Sequence, residues 1–305
     1  MTLDGVIKQL NRGDHDGVLD LGGWRIDCAE GSGAASLALQ APAAVLRNGT
    51  LRLPRNGSVR LDAGAALTLQ NVLIEIYDTQ LDEAARGGAP AAPAADDDAD
   101  GGAALLCVGP SAQLKLAGVR IEGAAGVAVA VEREGWLEAR DLAVKAAAGA
   151  AVLLVGGRAE LSDFRAAACG AGVRCVRGGA AAGSGWTVVH AAHAAVDVGA
   201  DSAVTVERVT VECAAAAAGF VVADGGALTA SDGVCEGGPD TVGVRAAGGG
   251  SAVTLTRCQL VRHAQAVLLQ DGATLCAEGC TVRRCGAPGA PPVASSLACW
   301  HGRVP

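Results

Sequence analysis

An eight-residue phrase recurs along most of this chain and leaves it few folds to choose from. Its clearest copy runs from Val204 to Val211, where Val204, Val206, Val209 and Val211 alternate with Thr205, Glu207, Arg208 and Thr210. Each half has the two-residue alternation of a β-strand, and the extra residue in the middle marks a bend. The four valines therefore point inward, and Thr205 and Thr210 outward. The phrase starts again at Leu19, Leu46, Leu67, Leu114, Leu137, Ala159, Trp186, Val204, Leu228, Val253 and Leu275, at intervals of 27, 21, 47, 23, 22, 27, 18, 24, 25 and 22 residues. The interval of 47 holds an acidic stretch of 25 residues, Asp78 to Gly102, whose removal leaves 22. A second apolar run follows most phrases, as in Val127-Ala128-Val129, Val152-Leu153-Leu154, Phe220-Val221-Val222 and Val267-Leu268-Leu269, with Gly-rich turns between. Three short strands per period describe one coil of a solenoid, in which each coil buries its inward side chains on its neighbours.

Composition suits a narrow interior. Half of the 305 residues are hydrophobic but only 2% are aromatic, and Met occurs once, so the apolar mass is Ala, Val and Leu. Leu3, Val6, Ile7 and Leu10 fall on one helical face, which predicts a short helix over the first open end of the stack. The repeat stops at residue 286. Pro291, Pro292 and Pro305 disfavour regular pairing in the last segment, 287–305, which is expected to cover the last coil with Leu297 or Trp300 as its apolar plug.

The phrases Ala112–Ile121 and Ala252–Leu260 resemble the repeats of right-handed parallel β-helices of the pectin-lyase-like superfamily. The resemblance covers about Val18 to Cys285. It implies an all-β, single-stranded right-handed parallel β-helix of about eleven coils over 1–286, with a short N-terminal capping helix and the acidic insertion 78–102. That superfamily includes polysaccharide lyases, glycoside hydrolases, epimerases, phage tailspikes and non-catalytic scaffolds, so the resemblance specifies a fold and leaves the function open.

Charge excludes some partners. Of the net −8, the segment from Asp78 to Gly102 supplies −6, with Asp78, Asp82, Glu83, Asp96, Asp97, Asp98 and Asp100 against Arg86. The nearly neutral remainder offers neither a nucleic-acid footprint nor a patch for an anionic membrane. No run approaches a membrane span, and the first residues, Met1-Thr2-Leu3-Asp4-Gly5, do not read as a signal peptide. An odd count of 11 Cys without a leader fits reduced thiols and a cytoplasmic setting. Cys258 and Cys280 share an inward position in adjacent coils, a ladder of small buried thiols. Cys276, Cys280 and Cys285 lack zinc-ligand spacing, and no Gly-rich phosphate loop occurs, so no metal or cofactor is expected. His193 falls inward beside Ala166 and Ala191, which reads as a core histidine or a slipped register and not as a ligand.

Two outward columns carry the candidate chemistry. At the second position of the phrase, Glu138 and Glu160 lie one coil apart. At the fifth, Asp141 and Asp163 do the same, with His190 and Arg208 next in the column. Adjacent carboxylates repel, which raises one pKa and supplies an acid or a base. A retaining glycosidase needs such a pair, and His190 with Arg208 suits a lyase or epimerase that must abstract a proton beside a substrate carboxylate. The same column continues through Asp232 and Arg257 with nearly alternating sign, which is how a solvated ion-pair ladder reads. The sequences Asn-Thr-Asp, Gly-His-Gly and Arg-Ile-Lys of polygalacturonase-like members are missing from the repeat. Thr187, Thr205, Thr229 and Thr254 form an uncharged outward rank suited to docking. The resulting expectation is a non-catalytic scaffold of cytoskeletal or ciliary kind, binding other proteins through Asp96, Asp97, Asp98, Asp100 and the Thr rank. The alternative is a carbohydrate-active enzyme working on an acidic polysaccharide from the outer face.

Overall fold

The computed structural model describes residues 3–12, 17–27, 36–55, 57–77, 104–286 and 293–303, with only the backbone described over 293–303. It is a parallel β-solenoid of ten closed turns. One turn is made of strands Gln113–Ala117, Arg120–Glu122 and Val127–Val131. The first two kinds of strand build a 20-stranded sheet that bends along its length, and the third builds a 10-stranded sheet closing the coil. The phrase beginning at Leu275 opens an eleventh turn that does not close. Strand Val293–Arg303 instead runs antiparallel along Thr274–Cys285 and pairs with it from Cys285↔Val293 to Thr274↔Arg303. The segment after the repeat thus covers the last coil with backbone hydrogen bonds, while the side chains proposed as its plug, Leu297 and Trp300, lie outside the described residues.

At the other end, helix Leu3–Arg12 lies over the first turn with Val6, Ile7 and Leu10 buried. Asn11 fastens it. Its Nδ2 donates to the Ala38 carbonyl at 3.0 Å, and its Oδ1 accepts from the backbone N–H of Gln40 at 2.8 Å and of Ala41 at 3.2 Å. One side chain thereby satisfies backbone groups that a terminal coil would otherwise leave open.

The core is a set of stacked columns. Leu67, Leu114, Leu137, Ala159, Ala181, Val204, Leu228, Val253 and Leu275 are register partners through successive turns, and all are buried. This corrects three of the expected starts. The turn expected to start at Trp186 starts at Ala181, Ala44 and not Leu46 is in register with Leu67, and Leu19, which pairs with Leu46, shares that offset. The spacing then evens out, since 159 to 181 is 22 and 181 to 204 is 23. Small residues caused the slip. Ala181 and Gly183 occupy inward positions without looking apolar enough for a strand, and a Cβ on Gly183 would stand 2.9 Å from Trp186 Nε1. That indole sits inside the bend, fully buried, with Nε1 donating to the Leu161 carbonyl at 2.9 Å. It meets the Phe164 ring edge-on at 6.0 Å between centroids.

The bend itself is a left-handed residue. Asn71, Gly118, Asp141, Asp163, Gly185, Arg208, Asp232, Arg257 and Gly279 all have φ between 51° and 71°. Gly118 and Gly185 adopt this without strain, and Asn and Asp tolerate it. Behind the bend, Cys258 and Cys280 stack in the buried inward column as expected, with the Cys258 N–H donating to Cys280 Sγ at 3.4 Å. His193 is exposed, which is the slipped-register alternative and not the core one. Among the described residues the buried histidine is His263, whose Nδ1 meets Thr241 Oγ1 at 2.9 Å and Nε2 the Cys235 carbonyl at 3.1 Å.

Candidate functional site

Glu138 and Glu160 are register partners one turn apart, as the repeat implies. They lie on an open, exposed sheet face where Lys115 Nζ pairs with Glu138 Oε2 at 2.9 Å. Asp141 and Asp163 occupy successive bends, and Arg165 Nη2 stands 4.0 Å from Asp141 Oδ1. The next bend belongs to Gly185, where a Cβ would stand 2.8 Å from Asp163 Oδ1. His190 is therefore not in this column. It sits at the second bend of its turn, beside Ala168 of the preceding turn, and faces Glu212 Oε1 at 3.8 Å. Arg208 does return to the first column, where its Nη2 donates to Ser184 Oγ at 3.3 Å. Farther along, Arg257 holds Asp232 at 2.6 Å through both Nε and Nη2. Hydrogen bonds from that guanidinium hold the Asp232 carboxyl below its ordinary value, and Asp232 in turn raises Arg257. The structure thus joins Glu138 to Glu160 and Asp141 to Asp163, leaves His190 apart, bonds Arg208 to Ser184 and pairs Asp232 with Arg257 on the surface.

The Thr rank is likewise shorter. Thr205, Thr229 and Thr254 stack in register, preceded by Ala182 and followed by Cys276. Thr187 belongs to the neighbouring strand, where it pairs with Thr210. Asp96, Asp97, Asp98 and Asp100 lie outside the described residues.

A concave site lies elsewhere on the outer face. A groove of about 340 Å³ is lined by Arg52, Glu75, Ile76, Glu122, Gly123, Lys145 and Ala146. The fold assembles it simply. Arg52, Glu75, Glu122 and Lys145 occupy one outward column in four successive turns, in register as Arg52↔Glu75, Glu75↔Glu122 and Glu122↔Lys145. Their neighbours Leu51, Ile74, Ile121 and Val144 point inward and are buried, which turns these four outward. The strands that carry Glu75 and Glu122 are neighbours, about 4.8 Å apart along the stacking direction.

The two glutamates differ in company. Glu75 Oε2 stands 3.5 Å from Arg52 Nε and 3.8 Å from Arg25 Nη2. Arg52 also reaches Asp27 Oδ1 at 3.5 Å, and its guanidinium lies 4.9 Å from the centre of the Tyr77 ring. Glu122 has no ion pair among the described residues, and neither has Lys145 or Arg120, all three exposed. Arg25, Arg120 and Arg165 follow one another in the adjacent outward column, with Thr50, Leu73 and Ala143 between them. Glu75 and Glu122, with Asp27 before Arg52 in the same column, therefore sit among five cations, Arg25, Arg52, Arg120, Lys145 and Arg165.

Sequence reading missed this site because it stacked the second and fifth positions of the phrase and not the ninth. The signal was present. Glu75 and Glu122 are 47 residues apart, the same interval as Leu67 and Leu114, but the acidic insertion between them hides the adjacency.

No protein-family model matches the chain, and no curated protein matches it. Among solved structures it is similar to the enzymatically active domain of bacteriophage CBA120 tailspike protein 2, at 10% identity and TM-score 0.43, over 88% of this chain and 43% of that one. It is also similar to full-length tailspike protein 2 from an Escherichia coli O157:H7 bacteriophage, at 10% identity and TM-score 0.45, over 91% of this chain and 39% of that one. The likeness is one of fold. The chain spans about two fifths of the length of those chains. The parallel β-helix expected from the repeats stands, and the expectation of a non-catalytic scaffold is corrected. The outer face carries a groove with two register-paired glutamates, a feature the scaffold expectation did not include. Nothing in these neighbours supports a cytoskeletal or ciliary assignment.

Proposed function

We propose that this chain is a carbohydrate-active β-helix that binds an acidic polysaccharide on its outer face and acts on it in the groove at Glu75 and Glu122. The observation that carries this reading is the groove itself, in which two register-paired carboxylates are flanked by Arg52 and Lys145. A strip of cations around a carboxylate pair suits a substrate that brings its own negative charge to the rim and its reacting bond to the acids. Lys145 and Arg120, which make no ion pair among the described residues, are the groups available to such a substrate. Arg52 and Arg25 are already engaged with Glu75.

The reading is tested by affinity electrophoresis against polygalacturonate, alginate and hyaluronate, with neutral dextran as control. Retardation by at least one acidic polymer and not by dextran is expected. It should weaken with salt and fall in a Lys145→Ala, Arg120→Ala double variant. Equal retardation of the wild type and the double variant by every polymer would remove the groove from the reading.

A further inference from the structure

We infer that His263 is a proton-binding site built into the core of the last turns, in which the Thr241 hydroxyl changes its acceptor, from the imidazole to the Gly238 carbonyl, when the imidazole takes up a proton. The ring is 1% exposed. Glycines on either side shape its pocket. A Cβ on Gly237 would run into both Thr241 Oγ1 and His263 Nδ1, and one on Gly243 would stand 3.2 Å from His263 Cδ2.

Counting hydrogens gives both states. His263 Nε2 stands 3.1 Å from the Cys235 carbonyl, which can only accept, so Nε2 carries the hydrogen and Nδ1 of the neutral ring accepts. Thr241 Oγ1, 2.9 Å from Nδ1, supplies the hydrogen. That oxygen has one hydrogen and two lone pairs, and two further partners. The Gly238 N–H donates to it at 2.9 Å, and the Gly238 carbonyl lies 2.9 Å away as a second acceptor. With the ring neutral, the hydroxyl accepts from the Gly238 N–H and donates to Nδ1. With a proton on Nδ1, the ring donates to Oγ1, and the hydroxyl keeps the Gly238 N–H and turns its own hydrogen to the Gly238 carbonyl. Neither state leaves a ring nitrogen or the hydroxyl unpaired, so charging does not require the imidazole to leave the core.

The surroundings set how readily the proton binds. Burial lowers the His263 pKa below its ordinary value, while the Cys235 carbonyl and the Glu236 charge act the other way. Glu236 is ion-paired with Arg262 Nη2. Asp240 in the turn 237–241, Arg245 on strand Val242–Ala247, and Arg283 and Arg284 on strand Thr274–Cys285 are exposed, and Cys235 and Cys285 are buried thiols. The His263 carbonyl accepts from the Gly286 N–H at 3.0 Å, so the ring is anchored to the turns on both sides of it. Mild acid therefore rearranges the bonding of the turn 237–241 without opening it. The Gly238 carbonyl, which already accepts the Thr241 N–H at 3.2 Å, gains the Thr241 hydroxyl as well.

Nitrogen-15 NMR of the full chain labelled at histidine, from pH 8 to 4, reads the tautomer and the titration together. A neutral His263 ring with its hydrogen on Nε2, and a reversible titration in the folded protein, are expected. Thr241→Val keeps the shape and removes the hydroxyl. It takes a neutral hydrogen bond from the uncharged ring and a charge-assisted one, about twice as strong, from the charged ring. His263 in that variant should therefore bind its proton about fivefold more weakly. Thr241→Ser should restore the wild-type proton affinity. Circular dichroism melts at pH 8 check that each variant is folded, and the wild-type tautomer and titration carry the test should Thr241→Val not fold. A neutral ring with its hydrogen on Nδ1, protonation of His263 only as the chain unfolds, or equal proton affinity in the wild type and a folded Thr241→Val overturns the inference.

Discussion

Replacing Trp186 by Ala perturbs the residue around which one turn of the solenoid is packed. Its side chain is fully buried inside the bend. A Trp buries about 150–250 Å², which at about 25 cal/mol per Å² is worth about 4–6 kcal/mol as an upper bound. Large-to-Ala changes at aromatic core sites cost about 3–5 kcal/mol, and Trp186 also gives up a 2.9 Å hydrogen bond to the Leu161 carbonyl, worth about 1 kcal/mol. Gly183 beside it has no side chain to fill the space, so collapse of the site recovers little. A loss of about 4 kcal/mol is expected for Trp186→Ala. Trp186→Phe keeps most of the ring packing and loses the hydrogen bond, at about 1–2 kcal/mol. Trp24→Ala, at a side chain 76% exposed, should stay within about 0.5 kcal/mol. Urea denaturation followed by circular dichroism gives the midpoints. Because each turn touches only its neighbours, amide exchange should rise first in Arg158–Ser162, Ala180–Ser184 and Ala203–Glu207. A Trp186→Ala protein within about 1 kcal/mol of wild type would refute the placement of Trp186 in the bend.

Three further outcomes follow from the same structure. Burial lowers the pKa of His263 below its ordinary 6.5, so the unfolded chain binds a proton that the folded chain resists; stability should be fully present above pH 6.5 and fall as pH drops below it. Urea midpoints from pH 8 to 5 check this, and a His263→Gln variant should lose that part of the slope. The Asp232 carboxyl, hydrogen-bonded by Arg257, should titrate by carbon-13 NMR below 3.8 and move back toward it in Arg257→Ala; an unchanged titration would mean the pair does not persist in solution. Burial pushes the Cys175 thiol up to about 12, so iodoacetamide at pH 8 should leave it unlabelled in the folded protein and modify it in urea, as read by mass spectrometry.

The phrase Val204–Val211 made most of the fold legible, because a β-helix writes its inward columns into the sequence at a fixed period. Legibility failed where a column went small. Ala181 and Gly183 are inward without being conspicuous, and the bulky Trp186 beside them drew the register five residues along, which carried His190 into a column it does not share and added Thr187 to a rank where Ala182 stands. The closing strand Val293–Arg303 pairs antiparallel, a geometry the repeat does not encode. The groove was written in the same register as the core, but on the far side of the acidic insertion. Glu75 and Glu122 read as separate residues until the turns are stacked, and the difference between them lies in Arg25 and Arg52, which reach Glu75 from earlier turns. Buried His263 has no sequence signal apart from its position, since its partners Thr241 and Cys235 come from the preceding turn.

The most direct measurement is the release of new reducing ends from polygalacturonate, alginate and hyaluronate by the wild type, Glu75→Gln, Glu122→Gln and Glu138→Gln proteins at equal concentration. The expected result is cleavage of at least one polymer by the wild type and Glu138→Gln, with Glu75→Gln and Glu122→Gln each reduced by about 10² or more. Cleavage that survives both groove substitutions, or is lost on Glu138→Gln alone, is incompatible with a site at Glu75 and Glu122.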